Sequence, residues 1–210
     1  MTLFSIGHSN LDAAPFIARL QEHGVTALAD VRSHPYSRFL PHFNRAALHK
    51  CLVDAGIQYV FLGQELGARP EDPDCYQDGK AIYERIAATE RFKLGLQRLR
   101  RGLERYNVAI MCAEQDPLTC HRAILVCQQL RRESFPIHHI LKTGELESHF
   151  DLETRMLDRY QFRYAEQGLP SHAQLSLLVP EQPLRSREDC LQEAYRIHGQ
   201  QVAYVEPEVA

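Results

Sequence analysis

Five short apolar runs alternate along this chain with segments of helical periodicity, and that alternation limits the fold more than any other feature. The runs span residues 2–7, 25–31, 57–62, 108–112 and 136–141. Apolar runs of this length read as strands buried on both faces. A helix between two such strands returns the chain to the same end of the sheet, so the strands run parallel. The sequence therefore predicts an α/β fold: a three-layer sandwich around a mainly parallel five-stranded sheet. A Rossmann-like strand order 3-2-1-4-5 is expected, because consecutive strands usually lie side by side.

The helical segments carry their own punctuation. Asp12 opens a helix that runs to about His23, and Gly24 ends it. Asn44 opens a second, ended by Gly56. Residues 63–79 hold several Gly and Pro positions and read as a long loop, the kind that is often functional. Helices are expected near 80–88 and 90–106, then from Asp116-Pro117 to about Arg132, with Pro in the first turn. A further helix is expected near 145–159. A Gly/Pro/Ser-containing stretch comes next, through Pro183. Ser186 and Asp189 resemble a capping box for a last helix ending at Gly199, and 201–205 reads as an edge strand. The domain reading is a core over residues 1–160, with a small C-terminal extension over 161–210 packed on it.

Composition removes some functional classes. The net charge is −3, which argues against a globally basic nucleic-acid binder but leaves room for a local patch. The first residues, MTLFSIGHSN, have neither the charged nor the long apolar region of a signal peptide, so a cytoplasmic protein without membrane contact is expected. The six cysteines then read as free thiols. Neither a G-x-x-x-x-G-K-[ST] phosphate loop, a G-x-G-x-x-G turn nor a G-x-S-x-G elbow occurs.

In parallel sheets, ligands bind beyond the carboxyl ends of the strands. Those ends hold the polar residues here: Gly7-His8-Ser9, Asp30-Val31-Arg32 and Cys112-Ala113-Glu114. His8 suits acid/base work, metal ligation or a phosphate contact, or else a structural hydrogen bond. Asp30 lies inside an apolar strand and needs a partner, for which Arg32, Arg38 and His8 are at hand. Arg32 and Arg38 offer planar forks to a phosphate, with Ser9 and Ser37 nearby and Arg122 adding a third. Tyr36, Phe39 and Phe43 are interleaved with these charges and serve either as base-stacking rings or as loop anchors. Cys120, placed in the first turn of a helix, is expected to hold a thiolate unless it faces the core. Glu114 reads either as a general base or as a charge partner for Arg122 or Arg32, and His121 as a proton shuttle or ligand. Cys127 reads as core. The Cys112 to Cys120 spacing is a poor match to a structural zinc motif, while a metal held among His8, Asp30, Cys112, Glu114 and His121 is conceivable.

The segments SIGHS (5–9), ADVRSHPYSRF (29–39), FNRAALHKCLVDAGIQYVFLGQELG (43–67) and MCAEQDPLTCHR (111–122) together resemble the domain-of-unknown-function 488 family (DUF488). EAYRIHGQQVAY (193–204) is similar to a tail found in many members. The resemblance implies a compact α/β domain and draws attention to His8, Asp30, Arg32, Arg38, Cys112, Glu114, Cys120, His121 and Arg122. It implies no settled reaction. Gly67-Ala68 departs from the Gly pair common in members, which bears only on loop geometry. A DVR after the second strand is also similar to rhodanese-like domains, but no Arg-rich cysteine loop comes after Cys112.

The leading functional expectation is an enzyme with an anion-binding site for a phosphate-bearing substrate, either a nucleotide or nucleic acid. Cysteine-based sulfur transfer or redox chemistry is one alternative. A non-catalytic module binding nucleic acid or protein is the other. Cofactor, metal and oligomeric state stay open.

Overall fold

A computed structural model describes residues 1–165 and 185–207. The apolar runs form the strands β1 (Leu3–Gly7), β2 (Ala27–Asp30), β3 (Gln58–Phe61), β6 (Val108–Cys112) and β7 (Ile137–Ile140), all mutually parallel. Two further strands, β4 (Tyr76–Gln77) and β5 (Lys80–Ala81), make a small antiparallel hairpin. A sixth member of the main sheet, β8 (Leu146–Ser148), runs antiparallel against β7 at the edge. Gly144, at φ +95°, makes the turn between them, a conformation glycine adopts without a Cβ clash. In the sequence, residues 146–148 read as the start of a helix. The helix itself begins only at His149, after Ser148 accepts a bond from the Asp151 amide.

The order of the main sheet is β3-β2-β6-β1-β7-β8. This corrects the expected 3-2-1-4-5, because the fourth run lies between the first and the second. Every residue of VAIMC in β6 is buried, and a strand with no polar face gains most from neighbours on both sides. The β1-to-β2 connection therefore jumps one position instead of making an adjacent pair. The register sets Gly7 of β1 beside Cys112 of β6, and Asp30 of β2 beside Met111.

Helices cover both faces. α1 (Ala13–Glu22) and α2 (Arg45–Asp54) lie on one, packing Phe16, Leu20, Leu48 and Leu52 against Phe4, Leu28 and Met111. Fully burying a side chain such as Phe16 stabilises by about 2 kcal/mol. After β3 come a helical turn, α3 (Gly63–Leu66), and a 3-10 turn at Pro73–Cys75, so the long 63–79 segment is locally ordered. Next are α4 (Tyr83–Ala88) and α5 (Glu90–Leu103), and α5 packs Phe92, Leu96, Leu99 and Leu103 on the second face.

The segment after β6 departs most from expectation. In place of one helix from Asp116 to Arg132 there is a 3-10 turn at Pro117–Thr119, then an extended Cys120, then a π-helix at Arg122–Cys127 leading into α6 (Gln128–Leu130). α7 (His149–Arg159) and α8 (Arg187–Val202) complete the second face. The two-residue strands β9 (Tyr164–Ala165) and β10 (Arg185–Ser186) pair in parallel. α8 continues through Gly199, where Tyr83 packs so closely that an added Cβ would lie 3.3 Å from its ring. The expected edge strand after it shrinks to one bridge, Val205 to Lys80 of the hairpin. Most of the stretch ending at Pro183 lies outside the described residues. Among the described residues, no helix is long and apolar enough to cross a membrane.

Candidate functional site

Side chains alternate faces along a strand, and this parity divides the polar residues at the strand ends. Gly7 and Cys112, being register partners, point to the α5/α8 face, and so does Val31. His8, Asp30 and Arg32 point to the α1/α2 face. The His8 ring stacks on Phe43 at 4.2 Å, its Nδ1–H donates to the Ser9 carbonyl, and Nε2 lies 3.4 Å from Arg32. Burial, with Arg32 beside it, lowers the His8 pKa to about 4, so the ring is neutral. Arg32 grips the buried Asp30 carboxylate with Nε at 2.9 Å and NH2 at 2.7 Å, and also donates to the Phe43 carbonyl. Tyr59 completes the carboxylate's shell at 2.9 Å.

On the other face Cys112, Glu114, Cys120 and His121 converge, with their donor atoms all within 4.8 Å of one another. They line a cavity of about 310 Å³ together with Arg32, Arg69, Tyr36, Tyr83, Val202 and Tyr204. Cys112, Cys120 and His121 are buried, while Glu114 is open to solvent. His121 Nε2–H donates to the Val31 carbonyl at 3.1 Å, which leaves Nδ1 facing both sulfurs, 3.6 Å from Cys112 and 3.9 Å from Cys120. Cys120 Sγ lies 3.0 Å from a Glu114 oxygen.

The four groups shift one another's protonation. Burial raises the Cys120 thiol, but the Cys112 S–H, Arg122 and His121 outweigh it and hold Cys120 well below the ordinary thiol range. The same thiol pair works the other way on Cys112, whose hydrogen bond to Cys120 and burial keep it protonated. Partial desolvation and the neighbouring sulfur raise the Glu114 carboxyl. Cys120 owes nothing to a helix dipole, since its backbone is extended (φ −137°, ψ 138°) between the 3-10 turn and the π-helix. π-turns recur where a helix must present side chains at an unusual angle. Here one starts directly after Cys120-His121 and turns Arg122 inward.

Arg122 is fully buried and clamps the loop that bears Glu114, donating to the Glu114 carbonyl at 2.8 Å and the Gln115 carbonyl at 3.0 Å. Gly7 makes this approach sterically feasible, because a Cβ there would lie 1.7 Å from the Glu114 carbonyl oxygen. The Nε–H of Arg122 donates to Ser5 Oγ at 3.4 Å. From Ser5 a chain of contacts runs to His139 (2.6 Å), His149 (3.0 Å), Tyr195 (2.9 Å) and Glu153 (3.1 Å). Arg131 and Arg187 hold Glu153 at its far end.

The structure thus gathers Cys112, Glu114, Cys120 and His121, with Arg32 at the edge of the same cavity. His8 and Asp30 stand outside it on the opposite face. Ser9, at φ 46°, reaches Asn10 and Gln115, while Ser37 accepts from the Leu40 amide and gives its own amide to Asn44. Arg38 is exposed away from the cavity. Cys127 is core, its thiol pushed up to about 12 by burial. The residue that sequence reasoning passed over is Arg69, whose guanidinium lies 4.2 Å over the Tyr204 ring. Its only signal was its place in the long Gly/Pro-bearing loop.

A family model described as "Domain of unknown function DUF488" matches residues 12–128, from the first helix through the π-turn. SIGHS and the 193–204 tail fall outside that span. No curated protein and no solved structure matches the chain. The matched span includes three of the five parallel strands and all four converging residues, so the chain belongs to the DUF488 family.

Proposed function

We propose that this protein is an enzyme acting on a phosphate-bearing substrate of nucleotide type, with Cys112, Glu114, Cys120 and His121 as its reacting centre. The observation that carries this reading is the convergence of those four groups on one cavity. Three are buried against the sheet, while Glu114 stands on the solvent side with its carboxyl raised by partial desolvation, which suits proton transfer. The anion holder in this reading is Arg69. Arg32 and Arg122 direct their guanidiniums at Asp30 and at backbone carbonyls, whereas Arg69 has no carboxylate partner among the described residues. Tyr36, exposed at the cavity, and Tyr204 offer rings to a base.

A charge-assisted contact to phosphate contributes about 1.5–3 kcal/mol, or roughly 10- to 100-fold in affinity. Arg69→Ala is therefore expected to weaken binding of nucleoside phosphates and inorganic phosphate by at least about tenfold in calorimetric titrations. Equal binding by wild type and variant would sink the phosphate reading.

The depressed thiol of Cys120 favours a second reading, cysteine-based sulfur transfer or redox chemistry. Under it, Cys120 in native protein is alkylated near pH 7 faster than a free cysteine.

A further inference from the structure

We infer that Cys112, Cys120 and His121 form a binding site for a thiophilic divalent cation of the zinc class, with the fourth position opening on the cavity beside Glu114. The inference rests on reading these residues as the reacting centre and deepens it. Two sulfurs and one imidazole nitrogen are the donor set such ions select over the oxygen-seeking Mg²⁺ and Ca²⁺. With Zn–S near 2.3 Å and Zn–N near 2.0 Å, tetrahedral angles put sulfur and nitrogen about 3.5 Å apart. The separations here are 3.6 Å for Cys112 Sγ to His121 Nδ1 and 3.9 Å for Cys120 Sγ to His121 Nδ1.

The surroundings of His121 give an independent sign. A metal-ligating histidine usually donates its other N–H to a carbonyl or carboxylate, which fixes the ring and the tautomer. His121 donates Nε2–H to the Val31 carbonyl at 3.1 Å, and its buried Nδ1 is aimed between the two sulfurs. No backbone N–H or hydroxyl is bonded to that Nδ1 among the described residues. The donors come from three rigid supports: the end of β6, the extended residue after the 3-10 turn, and the first residue before the π-helix. Glu114 alone of the group is exposed, so the three buried residues form the floor and the carboxylate stands on the solvent side. That layout corresponds to an open site, with three protein ligands and a fourth position left for water or substrate. The chain spacing, Cys-x7-Cys-His, is unlike the paired Cys-x-x-Cys of structural zinc modules, and the geometry answers the difference because the ligands belong to a sheet rim.

The test is elemental analysis of full-length protein purified without chelator and of apo protein reloaded with Zn²⁺ or Co²⁺. About one ion per chain is expected. The Co²⁺ form is expected to show intense thiolate-to-cobalt charge-transfer bands. Cys112→Ser and Cys120→Ser should each weaken binding by roughly 100-fold or more, whereas Cys51→Ser, altering a half-buried cysteine elsewhere, should bind like wild type. Should the rim variants fail to fold, wild type decides: Zn²⁺ is expected to slow alkylation of Cys112 and Cys120 and leave Cys51 unaffected. A substoichiometric ion without charge-transfer bands, or full loading in both rim variants, overturns the inference. Failure to load an ion, together with phosphate binding that depends on Arg69, would leave the enzyme reading standing while this one falls. A loaded ion without any phosphate binding would do the reverse.

Discussion

At the scale of single residues, two glycines show how differently the same atom can matter. Gly24 ends α1 at φ +64° with nothing among the described residues within 4 Å of an added Cβ, so Gly24→Ala costs the left-handed backbone, about 1 kcal/mol. Gly7 has no such conformational demand. Its substitution by alanine drives a methyl into the Glu114 carbonyl, and overpacking of that kind costs about 1–3 kcal/mol. We expect urea melts to rank Gly7→Ala as the more destabilised, with phosphate or metal binding impaired in that variant alone. Equal binding by the two would mean that the Glu114 loop does not depend on this approach. The sequence marked Gly7 only as the end of a strand, since its contact is with a residue 107 positions away (114 − 7). His8 illustrates the complementary limit. Its type and its place at a strand end were legible, but which face it occupies depends on a register with β6 that no local pattern encodes.

At the scale of elements, the segment between β6 and α6 brings the two thiols, the carboxylate and the imidazole together. Asp116-Pro117 and the apolar spacing from Cys120 to Leu130 look like an ordinary capped helix, and an α-helix would have carried Cys120 on its first turn. The capping signal was real: Asp116 accepts from the Leu118 amide at 3.0 Å. The path of the chain beyond Thr119 is not legible, because it is set by Arg122 reaching back to the Glu114 and Gln115 carbonyls. Asp116 also receives two bonds from Arg155 of α7, at 2.9 and 3.1 Å. Losing the cap and the partly exposed ion pair together is expected to cost about 1–2 kcal/mol in Asp116→Ala. Amide exchange should quicken at Leu118 and Cys120 more than at β6. Uniform quickening would show instead that the turn is held by packing alone. Strands β1, β2 and β6 were legible for a simple reason, since their buried runs have no polar face to misplace, whereas β3 alternates exposed and half-buried residues at the edge of the parallel set. Their order was not, because it is fixed by pairing between residues far apart in the chain, Leu3 with Val108 and Ala27 with Val108.

At the scale of the whole molecule, the buried histidines govern the response to acid. Burial lowers His8 and His149 to about 4 and His139 well below its usual value, against 6.5 for an exposed ring. The unfolded chain therefore takes up protons first as pH falls. Stability contributed by these neutral rings is complete above 6.5 and is lost progressively from there down to about 4. Each such ring contributes at most about 1.4 kcal/mol per pH unit in that window, and their contributions act in the same direction. Urea midpoints measured at pH of about 7.5, 6 and 5 should fall steeply. A flat profile to pH of about 5 would refute the assignment of neutral rings. Glu188, held to about 2 by Arg131 and Arg132, acts only at lower pH, between 4.5 and that value.

The line of contacts from Arg122 to Glu153 has a polarity of its own. A guanidinium can only give a hydrogen and a carboxylate can only receive one. With those two groups at the ends, the orientation of Ser5, His139, His149 and Tyr195 is dictated link by link, each handing its hydrogen toward α7. The interior thereby has a sense of direction, like a row of arrows between the thiol rim and the helices beneath. Reversing any one of them would leave two hydrogens, or two lone pairs, face to face.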